Sequence, residues 1–299
     1  MGLFNWFRKE KASSDELIEI LEMLKKKEIR ITYQETEEEL LDVTVSKIGG
    51  NPALPADFIW PRYKGEAFNG EEKERPLSFM AQINLSDIAE YDEEDVLPKT
   101  GMLSFFYELM TMKWGFAPED KGCARVYYFP EEVELQPTPI PEELEADAFV
   151  PECEMCFEEH ISFPCYDDYR QLKDADDLDW DDYDEARVQL GYTSDEWGDR
   201  TKLLGYADLI QGSMYEECEI LYRGYGTGNP EEYAKIPSSE KQDIKEKSSD
   251  WMLLFQMGTI ETENSVIMFG DCGHIYFWIR KQDLKERNFD KVWLILQCG

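Results

Sequence analysis

Few residues in this 299-residue chain are of types that do chemistry: it has two histidines and seven cysteines. His274 opens the run His274-Ile275-Tyr276-Phe277-Trp278-Ile279-Arg280, whose alternation predicts a β-strand. His274, Tyr276, Trp278 and Arg280 would then share one face, with Asp271 at the preceding turn. An imidazole, a phenol, an indole and a guanidinium together could grip a small anionic or aromatic ligand. The competing reading is an ordinary sheet face covered by another segment, and apolar strands favour it. A second cluster is Cys153-x2-Cys156-x3-His160-x4-Cys165. Thiolates and an imidazole suit tetrahedral zinc. However, zinc sites draw on separated ligand pairs. These four donors are compressed among Glu152, Glu154, Glu158 and Glu159, whose charge raises thiol pKa values. Unrelated thiols are the better account.

The run Asp174, Asp176, Asp177, Asp179, Asp181, Asp182 and Asp184 could attract calcium. Taking Asp177 as the first ligand of an EF-hand loop puts Asp182 where glycine belongs and Val188 where the bidentate glutamate belongs, so the specific loop is absent. Gly224-Tyr225-Gly226-Thr227-Gly228 is followed by Asn229-Pro230-Glu231-Glu232, which would repel phosphate; a turn before a helix capped near Asn229 is expected. Neither Gly-x-Ser-x-Gly nor His-Glu-x-x-His occurs. No catalytic residue and no cofactor is assigned, zinc and calcium being the disfavoured alternatives.

The elements that would position these residues are mostly short strands. Leu17, Ile20, Leu21 and Leu24 predict a helix over 13–27, with Ser13 and Glu16 as a capping box and Lys25–Lys27 at its favourable C-terminal end. From about residue 40 the texture is β: Asp42–Ile48, the cleanly alternating Leu77–Leu85, then Gly101–Leu109 and Cys123–Phe129. The segment repeats itself. Trp251–Met257 echoes Ser78–Ile83, with Gln256 matching Gln82, and Gly273–Ile279 echoes Gly101–Tyr107, at offsets of 174 and 172. Thr201–Gly205 echoes Ser46–Gly50 at an offset of 155. Preserved order and near-constant offset point to duplicated halves, about 40–130 and 200–299. The predicted fold is mainly β (α+β), with roll-like antiparallel sheets and an N-terminal helix.

Charge divides the chain further. Lys and Arg total 31 and Asp and Glu 65, a net of −34. Residues 131–199 hold 24 acidic and three basic positions, so more than half of that charge sits there. Pro137, Pro139 and Pro141 open this stretch, which reads as an extended acidic connector between the halves. The balance excludes the phosphate-neutralising surface of a nucleic-acid binder. It also excludes docking on anionic lipid. No apolar run approaches the ~18 residues of a membrane span. The apolar start, Leu3, Phe4, Trp6 and Phe7, is too short for a signal h-region, and seven cysteines without a regular framework suit a reducing cytoplasm.

Several of these residues together resemble a known family. Gly49-Gly50-x-Pro52-x-Leu54-Pro55, Trp60-Pro61, Pro76-Leu77-x-Phe79-x-Ala81-Gln82-Ile83-Asn84-Leu85 and Leu97-Pro98-x-x-Gly101-x-Leu103-x-Phe105-Phe106 are similar to the YwqG-like family of bacterial proteins. So are Leu203-Leu204-Gly205-Tyr206, Ile210-Gln211-Gly212, Trp251-x-Leu253-Leu254-Phe255-Gln256 and Phe269-Gly270-Asp271-x-Gly273-x-Ile275-Tyr276-Phe277-Trp278-Ile279. The resemblance spans nearly everything past residue 40. It implies one roll-like β domain over 40–299 behind an N-terminal segment, 1–39, and no activity. The sequence therefore reads as a non-catalytic cytoplasmic binding protein. Its partner class is a basic protein, as for an immunity-type protein that presents carboxylates where phosphates would bind. The alternative is a small-ligand protein or enzyme using the 271–280 face.

Overall fold

The computed structural model describes residues 14–36, 42–173, 175, 178–192 and 200–299. The apolar N-terminus, the capping Ser13, and Asp174, Asp176 and Asp177 lie outside them. Ten strands form one sheet: β1 (Lys26–Glu35), β2 (Lys47–Ile48), β3 (Ser78–Asn84), β4 (Met102–Tyr107), β5 (Ala124–Phe129), β6 (Cys153–Ser162), β7 (Thr201–Leu204), β8 (Trp251–Met257), β9 (His274–Arg280) and β10 (Trp293–Gln297). Their spatial order is β10-β9-β8-β7-β1-β6-β2-β3-β4-β5. Every neighbouring pair is antiparallel. The two ten-residue strands, β1 and β6, pair at the centre from Lys26 opposite Ser162 to Glu35 opposite Cys153.

The central pair corrects two expectations. The acidic segment is not only a connector, because it supplies β6 at the middle of the sheet. A strand solvated on one face tolerates carboxylates there: Glu158 is exposed while Cys153 and Met155 are buried. The N-terminal helix, α1 (Ser14–Leu24), stops before Lys25, and Lys26 and Lys27 belong to β1. Ile29 and Ile31 alternate with polar residues and extend the chain at once. A single helical turn, α2 (Leu85–Ile88), follows β3. Leu17 and Leu21 of α1 bury against Tyr169 of α3 (Tyr166–Lys173) and against Tyr183 and Ala186 of α4 (Trp180–Gln189). Asp179, from the acidic run, caps α4 by accepting the Asp181 N–H at 3.0 Å.

Strands β2–β5 flank the central pair on one side and β7–β10 on the other. Strands β3 and β8 stand at matching places, and so do β4 and β9. The pairing of β3 with β4 shifts register between Phe79 and Ala81, and that of β8 with β9 between Leu253 and Phe255. The Gln82 side chain accepts the Ala53 N–H at 2.9 Å and donates to the Val45 carbonyl at 2.8 Å. Gln256 accepts the Asp208 N–H at 2.9 Å and donates to the Arg200 carbonyl at 3.0 Å. Gly49 leaves β2 at a φ of +55°, and a Cβ there would lie 2.3 Å from the Pro151 and Val150 carbonyl oxygens, so no other residue fits this turn.

The sheet curls until its flanks meet. Phe105 of β4 lies 4.5 Å from Phe255 of β8 and 5.2 Å from Phe277 of β9, ring centre to ring centre. Near the edges, the Trp293 indole donates to the Gly115 carbonyl at 2.8 Å, and Tyr128 of β5 packs on Phe289. The enclosed face forms the main apolar core. On the outer face, α5 (Tyr215–Tyr222) covers Trp251, Leu253, Tyr276 and Trp278. Phe58 and Trp60, from the proline-rich segment, cover Phe106. The chain is mainly β, with eight α-helices among the described residues. None of them is long and apolar enough to cross a membrane.

Candidate functional site

A half-open cavity of about 530 Å³ lies where the start of β1, the end of β7, the helix after β9 and the 91–98 loop converge. Its cations are Lys26, Lys27, Lys281, Lys285 and Arg287. Ile29, Leu97, Leu204, Met252 and Leu284 supply an apolar wall. Gly205 ends β7 at a φ of +73°, where a Cβ would meet Glu28 at 2.8 Å and Ser162 at 3.0 Å. That close approach brings Tyr206 under Lys26. Its N–H donates to Ser162 Oγ at 3.0 Å, and its hydroxyl to the Leu24 carbonyl at 2.8 Å. The Lys26 ammonium then sits 3.9 Å from the centre of the Tyr206 ring.

Asp92, Glu93, Glu94 and Asp95 line the opposite wall, but most are engaged locally. The Asp92 carboxylate accepts the Val96 and Leu97 N–H groups at 3.0 and 2.8 Å, and Lys99 holds Asp95 at 2.6 Å. Lys27 is bound to Glu93 at 2.6 Å and to Glu159 at 2.8 Å, bonds that raise its pKa. Lys281 donates to the Ser249 carbonyl at 2.8 Å. Among the described residues no carboxylate lies within ion-pair distance of Lys26. Burial brings its pKa down to about 8, and the like charge of Lys281 adds to the effect; Asp168 and Glu94 oppose it. The cavity can therefore hold the negative head of a small molecule while its apolar wall takes the body.

The 271–280 face is built differently. His274, Tyr276 and Trp278 do share a face, but α5 and the 207–214 segment cover it, and no described cavity opens there. The Tyr276 hydroxyl donates to the Asp208 carbonyl at 2.6 Å and lies 3.3 Å from His274 Nδ1. Trp278 meets Tyr215 edge to face at 5.0 Å. Arg280 bonds to buried Glu219, which also accepts the Trp251 indole N–H at 3.0 Å. Asp271 stays on the exposed turn outside this cluster. The covering helix lies about sixty residues away in sequence, so strand alternation alone could not reveal it.

The four zinc-type donors are also dispersed. Cys153 is buried and Cys156 exposed, since positions three apart in a strand face opposite ways. His160 lies beside Glu158, and Cys165, beyond the strand, donates to the Ala207 carbonyl at 3.3 Å. Burial pushes the thiol of Cys153 up to about 11 and that of Cys165 up to about 12, away from the thiolate that a metal needs. Among the described residues no three His, Cys, Asp or Glu side chains are grouped to hold a metal ion. The glycine-rich stretch at 224–228 is a turn, followed by a helix from Pro230 that Asn229 caps by accepting the Glu232 N–H at 2.9 Å.

Asp168, on α3, is fully buried, and burial pushes its carboxyl up to about 7, with the nearby Lys26 charge opposing. The folded chain thus holds a proton that the unfolded chain has released between pH about 4 and about 7, and stability falls as pH rises across that window. Asp168→Asn is expected to stabilise the protein more at pH 8 than at pH 5, by roughly 2 kcal/mol, in urea denaturation. An equal effect at both pH values would contradict this.

A curled antiparallel sheet with a cationic cavity on its flank defines a mainly β architecture. The chain belongs to the family described as Domain of unknown function (DUF1963), whose model matches residues 46–298. Lys26 and Lys27 lie before the matched span. No curated protein matches the chain. The cavity residues escaped sequence reading because Lys25–Lys27 had a sufficient role at a helix end. Lys281, Lys285 and Arg287 were a faint signal: three cations within seven positions of an acidic chain.

Proposed function

We propose that this protein binds a small organic anion with an apolar body in the cavity at the start of β1. One observation carries the reading. In a chain of net charge −34, five cationic side chains line a single cavity, and they outnumber the four acidic ones beside them. The anion's carboxylate or phosphate would meet Lys26, Lys281 and Lys285, and its body would lie on Ile29, Leu204 and Met252. Phenyllactate is a suitable probe, with phenyllactamide as its neutral counterpart. Calorimetric titration is expected to show binding of phenyllactate only, with affinity at least tenfold weaker in Lys281→Ala/Lys285→Ala and weaker at high salt. Equal binding of the amide, or an unaffected double variant, would refute the reading.

Exposed carboxylates such as Glu158, Asp181 and Asp182 in the acidic stretch 131–199 support a second reading, a docking surface for a basic protein whose complex salt would weaken. We also infer that the two flanks of the sheet descend from a duplication. The matched register shifts and the matched bonds of Gln82 and Gln256 support it. The YwqG-like resemblance rests on the motifs alone. Seven unpaired thiols support a reducing, cytoplasmic setting.

A further inference from the structure

We infer that Lys26 is a nucleophile that captures the carbonyl carbon of a 2-oxo acid as an imine. The inference rests on the cavity being an anion site and names the class of anion. Three features of the geometry lead to it. Lys26 lines the cavity without a carboxylate partner among the described residues, whereas Lys27 is held by Glu93 and Glu159 and Lys281 by the Ser249 carbonyl. Its ammonium rests on the face of Tyr206, which orients the chain without accepting its proton. Lys281 shares the cavity, and its like charge favours the neutral form of Lys26. Burial and Lys281 bring Lys26 down to about 8, which leaves a useful fraction of free amine near neutral pH.

A 2-oxo acid fits this arrangement atom by atom. Its carboxylate would pair with Lys281 and Lys285, which brings the adjacent ketone carbon toward Lys26. The neutral amine adds to that carbon and the carbonyl oxygen takes up a proton, giving a carbinolamine. Loss of water then leaves a protonated imine, so one proton is taken up from solution and one water released for each C=N bond formed. No oxidant or metal is required. Glu94, on the same cavity wall and within electrostatic reach of Lys26, can relay that proton.

The test traps the imine. The full chain is incubated with phenylpyruvate and cyanoborohydride, which reduces the C=N bond to a stable secondary amine, and the modified peptides are mapped by mass spectrometry. The expected result is an adduct on Lys26 at least tenfold above that on any other lysine, with a rate that climbs to about pH 8 and levels off. Lys26→Arg, which keeps the charge and cannot form an imine, is expected to lose the adduct while its urea unfolding midpoint stays close to that of wild type. Adducts spread over exposed lysines, with phenyllactate still bound, would overturn the imine and leave the anion site standing. If neither acid binds, both proposals fail.

Discussion

Lys202→Ala is expected to lower the free energy of unfolding by about 3–5 kcal/mol, the range for breaking a buried ion pair from one side. Lys202 is 1% exposed, at the seam between β1 and β7. Its ammonium lies 2.8 Å from Glu28 and 2.8 Å from Asp208. Burial alone would depress its pKa, but the two carboxylates outweigh that and hold it above the usual value. For Asp208, burial would raise the carboxyl, yet Lys202 and Arg200 bring it below the usual range. Alanine removes the shared cation from this buried seam and leaves Glu28 to Arg30, and Asp208 to Arg200 and the Gln256 amide. The sign of the pH dependence follows. A depressed carboxyl contributes stability above its unfolded pKa and loses it as pH falls through the folded one, so the gap between wild type and variant should narrow in acid. Urea denaturation at neutral and at acidic pH measures both. A neutral-pH loss under about 1 kcal/mol would mean that the seam is hydrated.

Phe105→Ala should cost about 3–5 kcal/mol, the usual loss for emptying a large aromatic site that cannot collapse. Phe105 is fully buried, and its ring is the point at which one flank of the sheet touches the other, through Phe255 and Phe277. The surrounding strands are locked by antiparallel pairing, so the cavity would stay open. Phe105→Leu refills most of the volume and should cost less than half as much. Thermal unfolding should remain a single transition in both variants, because the two flanks share this core. Two separate transitions would show that the flanks are independent units.

Much of the strand framework was legible because it depends on period-two alternation. Leu77–Leu85, Gly101–Leu109 and Trp251–Met257 each contain a strand of the sheet, and the echoed segments stand at matching places in it. Gln82 and Gln256 stood out as polar residues in apolar strands, and both prove to be buried and hydrogen-bonded to backbone through oxygen and nitrogen alike. Charge was a poorer guide. The most acidic stretch houses the central strand β6, because pairing depends on backbone hydrogen bonds and one buried face, and the other face is free to carry glutamates.

Local pattern, then, determined β3, β4, β5, β8 and β9, most of the N-terminal helix and the turn before Asn229, since each depends on neighbours within a few residues, but not the central strands β1 and β6. Tertiary structure alone decided which faces were covered and where a cavity remained. Tyr276 and Trp278 became core because a distant helix lies on them. Lys26 became a cavity residue because β1 inserts beside β7 and brings residues 26 and 281 together from opposite ends of the chain. Such contacts are set by long-range packing, which no window of sequence contains.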